Sequence, residues 1–233
     1  PKLSLRFSPN NTKNLSNEDR RLDISNISSI NRLGISDGVE GGQSITTGLK
    51  YSFRDKIGEE KISLNLSQVL RDKANPDLPK NSTLNNKYSD IIGNIKFDLF
   101  DNLNFEYDFM VDNNLDKLNY NSIDANLTVN NFITTFQYLE EDGEVGSKSF
   151  ISNQTKYSFD ENNSLSFATR RNRELNMTEF YNLVYQYEND CLRAAIEYNK
   201  NFYSDSDINP EEEILFTLTI IPFSKFTSPN VNK

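Results

Sequence analysis

The chain has 233 residues, a formal net charge of -9 and no histidine, and its 16 Phe and 11 Tyr stand in a composition that is only 36% hydrophobic. An acidic chain without a basic cluster cannot displace the counterions of nucleic acid, and the lack of imidazole removes histidine acid–base catalysis, Ser-His-Asp triads and the usual zinc ligand sets. The one cysteine, Cys191, cannot form a disulfide inside the chain, and no run of about 18 apolar residues is present to cross a membrane as a helix.

The sequence opens at Pro1 with no charged-then-apolar leader, as in a mature or truncated chain. Two or three strands are expected before Gly34. The glycine-rich stretch Asp37-Gly38-Val39-Glu40-Gly41-Gly42 matches neither the P-loop nor the dinucleotide fingerprint, because it leads into a strand pattern rather than a helix. It reads as a bend whose glycines allow a sharp entry into that strand. From Gln43 onward the apolar pattern has period two. Strands are predicted near residues 43–54, 60–70, 88–100, 103–112, 118–129, 132–141, 148–159, 163–173, 178–188, 191–203 and 212–222. The clearest is 103–112, where Leu103, Phe105, Tyr107, Phe109 and Val111 share one face and Asn104, Glu106, Asp108 and Met110 the other.

Most of these segments run to about ten residues, twice the usual five or six of soluble sheets and the length of a tilted bilayer crossing of roughly 9 to 11 residues. The connections alternate between tight and long. DKIGEE, Asp101-Asn102, Asn130-Asn131, DENN and Asn189-Asp190 are tight, and between them lie longer stretches such as DKANPDLPKNSTLNNKY and SDSDINPEEE. Outer-membrane barrels have short periplasmic turns and longer external loops, so this sorting predicts a topology independently of hydropathy. It sets Cys191 at the periplasmic rim, in an oxidising compartment where a disulfide to a partner is chemically reasonable.

Several signals have a plain alternative. Asp205, Asp207 and Asn209 resemble half a calcium loop, but Pro210 replaces the required glycine and no Glu closes the loop, so no metal is expected. Polar alternate residues such as Glu106, Asp108, Gln154, Lys156, Arg193 and Glu197 face a lumen in a barrel and solvent in a soluble sandwich. Cys191 is either an inert thiol or a bonded one.

The segments PKLSLRFSP, INRLGISDGVEGGQSITTGLKYSF, NDCLRAAIEYNKNFYSD and ILFTLTIIPF together resemble the C-terminal part of the outer-membrane lipopolysaccharide-assembly family LptD. The marker residues are Asn31, Arg32, Asp37, Val39, Glu40, Gly41 and Gly42, with Cys191-Leu192-Arg193 opening the penultimate strand. The resemblance implies an all-β fold, an antiparallel transmembrane barrel of which residues 1–223 form roughly half the strands, and a periplasmic tail at 224–233. It implies a translocon rather than an enzyme, with no cofactor, that inserts lipopolysaccharide into the outer leaflet through a lateral seam. The last strand, with Ile214, Phe216, Leu218, Ile220 and Pro222, would line that seam. Implied partners are the outer membrane, the LptE lipoprotein plug in the lumen, and the periplasmic lipopolysaccharide bridge, reached through an N-terminal jelly-roll domain to which Cys191 would be disulfide-bonded. The rival readings are another large barrel, a porin or substrate receptor, and a secreted β-rich adhesin.

Overall fold

The computed structural model describes residues 1–36, 38–142, 148–202, 210–221, 224–227 and 231–232. Asp37, Pro222 and the triplet Asp205, Asp207 and Asn209 lie outside the described residues. The strands are β1 (Lys2–Ser8), β2 (Gly42–Arg54), β3 (Glu60–Arg71), β4 (Ile91–Phe100), β5 (Leu103–Val111), β6 (Leu118–Val129), β7 (Phe132–Glu141), β8 (Lys148–Ser158), β9 (Asn163–Asn172), β10 (Met177–Glu188), β11 (Leu192–Asn201), β12 (Glu212–Ile220), β13 (Ser224–Thr227) and β14 (Val231–Asn232). They neighbour one another in chain order from β1 to β13 without a crossover, and β14 also pairs with β12. Among the described residues nothing joins β1 to the far end, so the sheet is open, as in part of a barrel. Among the described residues no helix is long and apolar enough to cross a membrane, which leaves crossing by strands untouched.

The predicted strands agree with the observed ones to within about three residues. Only one strand, β1, precedes Gly34, because Leu15, Leu22, Ile27 and Leu33 enter a loop-borne core instead. The strand expected from residue 88 starts at Ile91, where the Ser89 hydroxyl accepts from the Val69 N–H and donates to the Asp90 carbonyl. Cys191 falls in the turn before β11 rather than in the strand. The alternation of loop lengths holds except at residues 173–176, a connection no longer than the tight turn at 159–162.

The tight turns are built by Asx chemistry. Asp55 Oδ1 accepts the N–H groups of Ile57 and Glu59 around Gly58, whose φ is +90°. Asp160 Oδ1 does the same for Asn162 and Asn163, and Asn130 takes a φ of 50° that Asn tolerates better than most residues.

The chain divides into two compact units. The first comprises Pro1–Leu99, Phe105–Ile123 and Leu139–Lys148, and the second Phe100–Asn104, Asp124–Tyr138 and Ser149–Lys233. In the first, Leu15, Leu22, Ile27 and Leu33 from the connection 9–41 and Leu78 and Leu84 from the connection 72–90 are buried against Val69, Ile92 and Met110 on one face of β3, β4 and β5. The two connections are tied together where the Leu15 N–H donates to the Asp77 carbonyl at 2.7 Å and Asn75 Nδ2 donates to Thr12 Oγ1 at 2.6 Å. Arg21 extends the fastening by stacking over the Tyr120 ring at 3.4 Å and pairing with Glu141 at 3.2 Å.

Apolar side chains are exposed on one face of the neighbouring strand β2 and, on β4, at Phe97. On β2, Ile45, Leu49, Tyr51 and Phe53 are exposed while Ser44 and Thr46 are buried. In the second unit the register places Tyr185, Ile196 and Phe216 side by side across β10, β11 and β12, all exposed. A soluble sandwich buries its apolar positions. These strands invert that rule, as a sheet does when lipid covers its outer face and a polar lumen its inner one.

Candidate functional site

The marker stretch is an ionic knot where β2 begins and β3 ends. Glu40, with its side chain 3% exposed, accepts a fork from Arg32, Nε at 2.7 Å and Nη2 at 2.6 Å. Arg71, at the end of β3, donates Nη1 to the same carboxylate at 2.5 Å and Nη2 to the Gly41 carbonyl at 2.5 Å. Arg32 also donates to Ser44 Oγ at 2.7 Å and to Thr46 Oγ1 at 3.1 Å on the inner face of β2. Arg6 of β1 approaches Glu40 to 3.5 Å.

Local sequence explains why the chain can bring these groups together. A Cβ on Gly41 would lie 2.2 Å from the Asn10 carbonyl oxygen, so only glycine lets the two backbones pass. Gly42 adopts a φ of +91°, a left-handed bend that turns the chain into β2. Asn31 Nδ2 donates to the Ile35 carbonyl and closes the turn that aims Arg32 inward. Val39 is exposed and makes no polar contact, and Asp37 is outside the described residues.

Burial pushes the Glu40 carboxyl up, but the hydrogen bond from Arg32 and the charges of Arg32, Arg6 and Arg71 outweigh it, so the group stays below the ordinary carboxylate value. The cluster therefore sets one firm anion among three cations, with the charge of Asp72 acting on Arg71 as well. Its work is to hold the connection 9–41 against β2 and β3.

A second polar centre lies on the inner face of β4 and β5. Asn94 Nδ2 donates to Glu106 Oε1 at 2.7 Å and to Asp108 Oδ1 at 2.8 Å, and Lys96 pairs with Glu106 at 2.8 Å. These groups line a cavity of about 520 Å³ together with Arg21, Lys50 and Tyr120. Glu106 and Asp108 thus share one polar face of β5 with Asn94 and Lys96 as their partners.

At the other end of the strands, Cys191 is exposed in the tight turn between β10 and β11. Its N–H donates to Asn189 Oδ1 at 3.0 Å and its carbonyl accepts from the Ile221 N–H at 2.8 Å. On β12, Ile214, Phe216, Leu218 and Ile220 form one exposed apolar row, and Pro222 is outside the described residues. The knot, which brings together Arg32, Glu40 and Gly41 of the marker residues, lies in the first unit, and the β12 row lies in the second.

Sequence reading found Arg32 and Glu40 as markers but missed Arg6, Arg71, Ser44 and Thr46. The available signal was Arg71 closing an alternating strand next to Asp72, a buried-end position for a charge that demands a partner.

No curated protein matches the chain. A family model described as LptD, LPS transport system D, matches residues 1–162, which include the whole ionic knot and β1 to β8. The remaining strands continue the same meander. At the level of the family the role is lipopolysaccharide transport at the outer membrane, not enzymatic turnover, and on the extent of that match the chain belongs to the LptD family.

Proposed function

We propose that this chain is the C-terminal portion of a translocon barrel that inserts lipopolysaccharide into the outer leaflet of the bacterial outer membrane through a lateral seam. The observation that carries the reading is the state of β12. On one side it is paired with β11 over nine residues, from Leu192↔Ile220 to Lys200↔Glu212. On its other side, among the described residues, it pairs with the four-residue β13 and the two-residue β14. A last long strand flanked on that edge by such short segments, with Ile214, Phe216, Leu218 and Ile220 facing outward, suits a seam that parts to let lipid chains through.

In this reading the tight turns face the periplasm and the connections 9–41 and 72–90 face the outside. Residues 1–223 belong to the barrel, and 224–233 follow it from the periplasmic side as a tail whose described residues pair back along β12. Cys191, exposed beside such a tight turn, is disulfide-bonded to a cysteine of an N-terminal periplasmic domain that receives lipid from the bridge. The inner polar face around Asn94 and Glu106 meets the LptE plug. Pro222 lacks a ladder donor and weakens pairing at the periplasmic end of the seam.

The test is depletion of the full-length protein in its native cell followed by surface labelling of lipopolysaccharide. Loss of surface label with lipid accumulating inside is the expected result. Unchanged labelling would return the barrel to the porin or receptor class.

A further inference from the structure

The ionic knot leaves one of its cations under-used. Glu40 is the only carboxylate in direct contact with Arg6, Arg32 or Arg71 among the described residues, and its oxygens are engaged at hydrogen-bond distance by Arg32 and Arg71. Arg6 reaches it only at 3.5 Å, and its guanidinium makes no side-chain hydrogen bond among the described residues. The charges acting on Arg6 are that single carboxylate against the two other guanidiniums.

Arg6 also opens onto a space. Ser4, Arg6 and Ser8 occupy the inner face of β1, opposite the outward Leu3, Leu5 and Phe7, which are 70–74% exposed. They line a cavity of about 280 Å³ with Ser28, Ser29 and Arg32, and Leu5, Phe7, Ile27 and Ile30 give it an apolar rim. None of the four serine hydroxyls has a side-chain hydrogen bond among the described residues. A guanidinium fork with free donors, hydroxyls converging on the same space and a local excess of cations in a chain of net charge -9 suit a multiply charged oxyanion.

We propose that this cavity is a phosphate-binding site in which Arg6 supplies the bidentate cation and Ser4, Ser28 and Ser29 supply hydroxyl donors. The cavity is roomier than a lone phosphate needs, so it accepts a phosphate that is still attached to a sugar. Resting on the translocon reading above, the end of β1 near the connection 9–41 lies at the outer leaflet, where the phosphates of lipopolysaccharide are carried. The shared chemistry is the phosphate monoester, and its source is either that headgroup or free phosphate.

The experiment uses the full-length protein purified in detergent, with calorimetric titration of inorganic phosphate, of micellar lipopolysaccharide and of the same lipid after phosphatase treatment. Loss of charge-assisted bonds in Arg6→Gln should weaken phosphate binding by roughly ten- to hundredfold, with Arg6→Lys between it and the parent. The parent should prefer intact over dephosphorylated lipid, and Arg6→Gln should lose that preference. A lipid preference without measurable binding of inorganic phosphate identifies the headgroup as the source, and the reverse identifies free phosphate. Unchanged binding of every probe in Arg6→Gln, with native electrophoretic mobility retained, overturns the site. Ser28→Ala combined with Ser29→Ala, on an exposed turn, supplies the same test if Arg6→Gln fails to fold. Failure here with a positive depletion result sinks the phosphate site alone, whereas phosphate binding with unchanged surface label sinks the translocon reading alone.

Discussion

Arg71 Nη1 and Glu40 Oε1 meet at 2.5 Å across 31 positions of sequence, both side chains 2–3% exposed. The contact fixes the end of a long connection to the end of a strand. Removing one partner of a buried pair strands the other charge, which costs about 3–5 kcal/mol. Glu40→Gln in the full-length protein should therefore lower its denaturation midpoint and expose the connection 9–41 to protease in detergent. Far-ultraviolet dichroism should stay unchanged, because the strands do not depend on the knot. Protease resistance equal to the parent's would show that Leu15, Leu22 and Ile27 hold the connection without it.

The same carboxylate sets a pH window. Its folded value lies below the ordinary 4.5, so its contribution is fully present above that value and is lost as pH falls through the folded one. Asp90 has the opposite sign. Burial raises it, a hydrogen bond from Asn119 offsets part of the rise, and the cost of its carboxylate fades on acidification. Protection of residues 9–41 from an acid-active protease should hold from neutrality down to the ordinary carboxylate value of 4.5 and be lost as pH falls further through the folded one. Glu40→Gln should remove that step, and a step of equal size in the variant would assign it to another group.

Strands β2 to β12 were legible because each side-chain pattern has a period of two and each tight turn carries Asp, Asn or Gly. The loop-borne core was not. Leu15, Leu22, Ile27, Leu33, Leu78 and Leu84 occur at irregular spacings, so no period distinguishes them from solvated loop residues, and they were read partly as extra strands. The bend at Gly41-Gly42 was legible from composition, while the role of Glu40 was hidden because its second partner comes from another strand. Whether the apolar face looks outward or inward was also beyond the pattern, since both arrangements have the same period.

Gly41 and Gly48 separate backbone crowding from side-chain crowding. A Cβ at Gly41 meets the Asn10 carbonyl oxygen at 2.2 Å and the Thr12 N at 2.9 Å, neither of which can swing away. At Gly48 the closest atom is Ser67 Oγ at 2.9 Å, the tip of a rotatable side chain. Gly41→Ala should cost about 1–3 kcal/mol or more by overpacking, and Gly48→Ala less. Urea midpoints of the full-length protein decide it, and equal midpoints would mean that the connection near Asn10 yields freely.

Cys191 is exposed, and its turn is closed by Asn189 Oδ1 accepting the N–H groups of Cys191 and Leu192. Those bonds use the backbone and leave the thiol out of the local structure. Cys191→Ser should leave the strands intact and abolish the oxidised, faster or slower migrating form of the full-length protein on non-reducing gels. Identical mobility of parent and variant would make the thiol a bystander and remove the covalent link to a periplasmic domain.

The outward apolar face makes a prediction that a soluble sheet reverses. Ile196, in the middle of β11, is 47% exposed and is flanked by Tyr185 and Phe216. Its neighbour Ala195 points the other way, beside Gln186 and Thr217. If lipid covers the outer face, an arginine there near the bilayer midplane costs about 2–4 kcal/mol, while one facing a wet lumen costs little. Ile196→Arg should then fold into lipid vesicles with a much lower urea midpoint than Ala195→Arg. A soluble sandwich would show the opposite order, because the face opposite its solvent-exposed side is its packed core and that is where a charge is most costly.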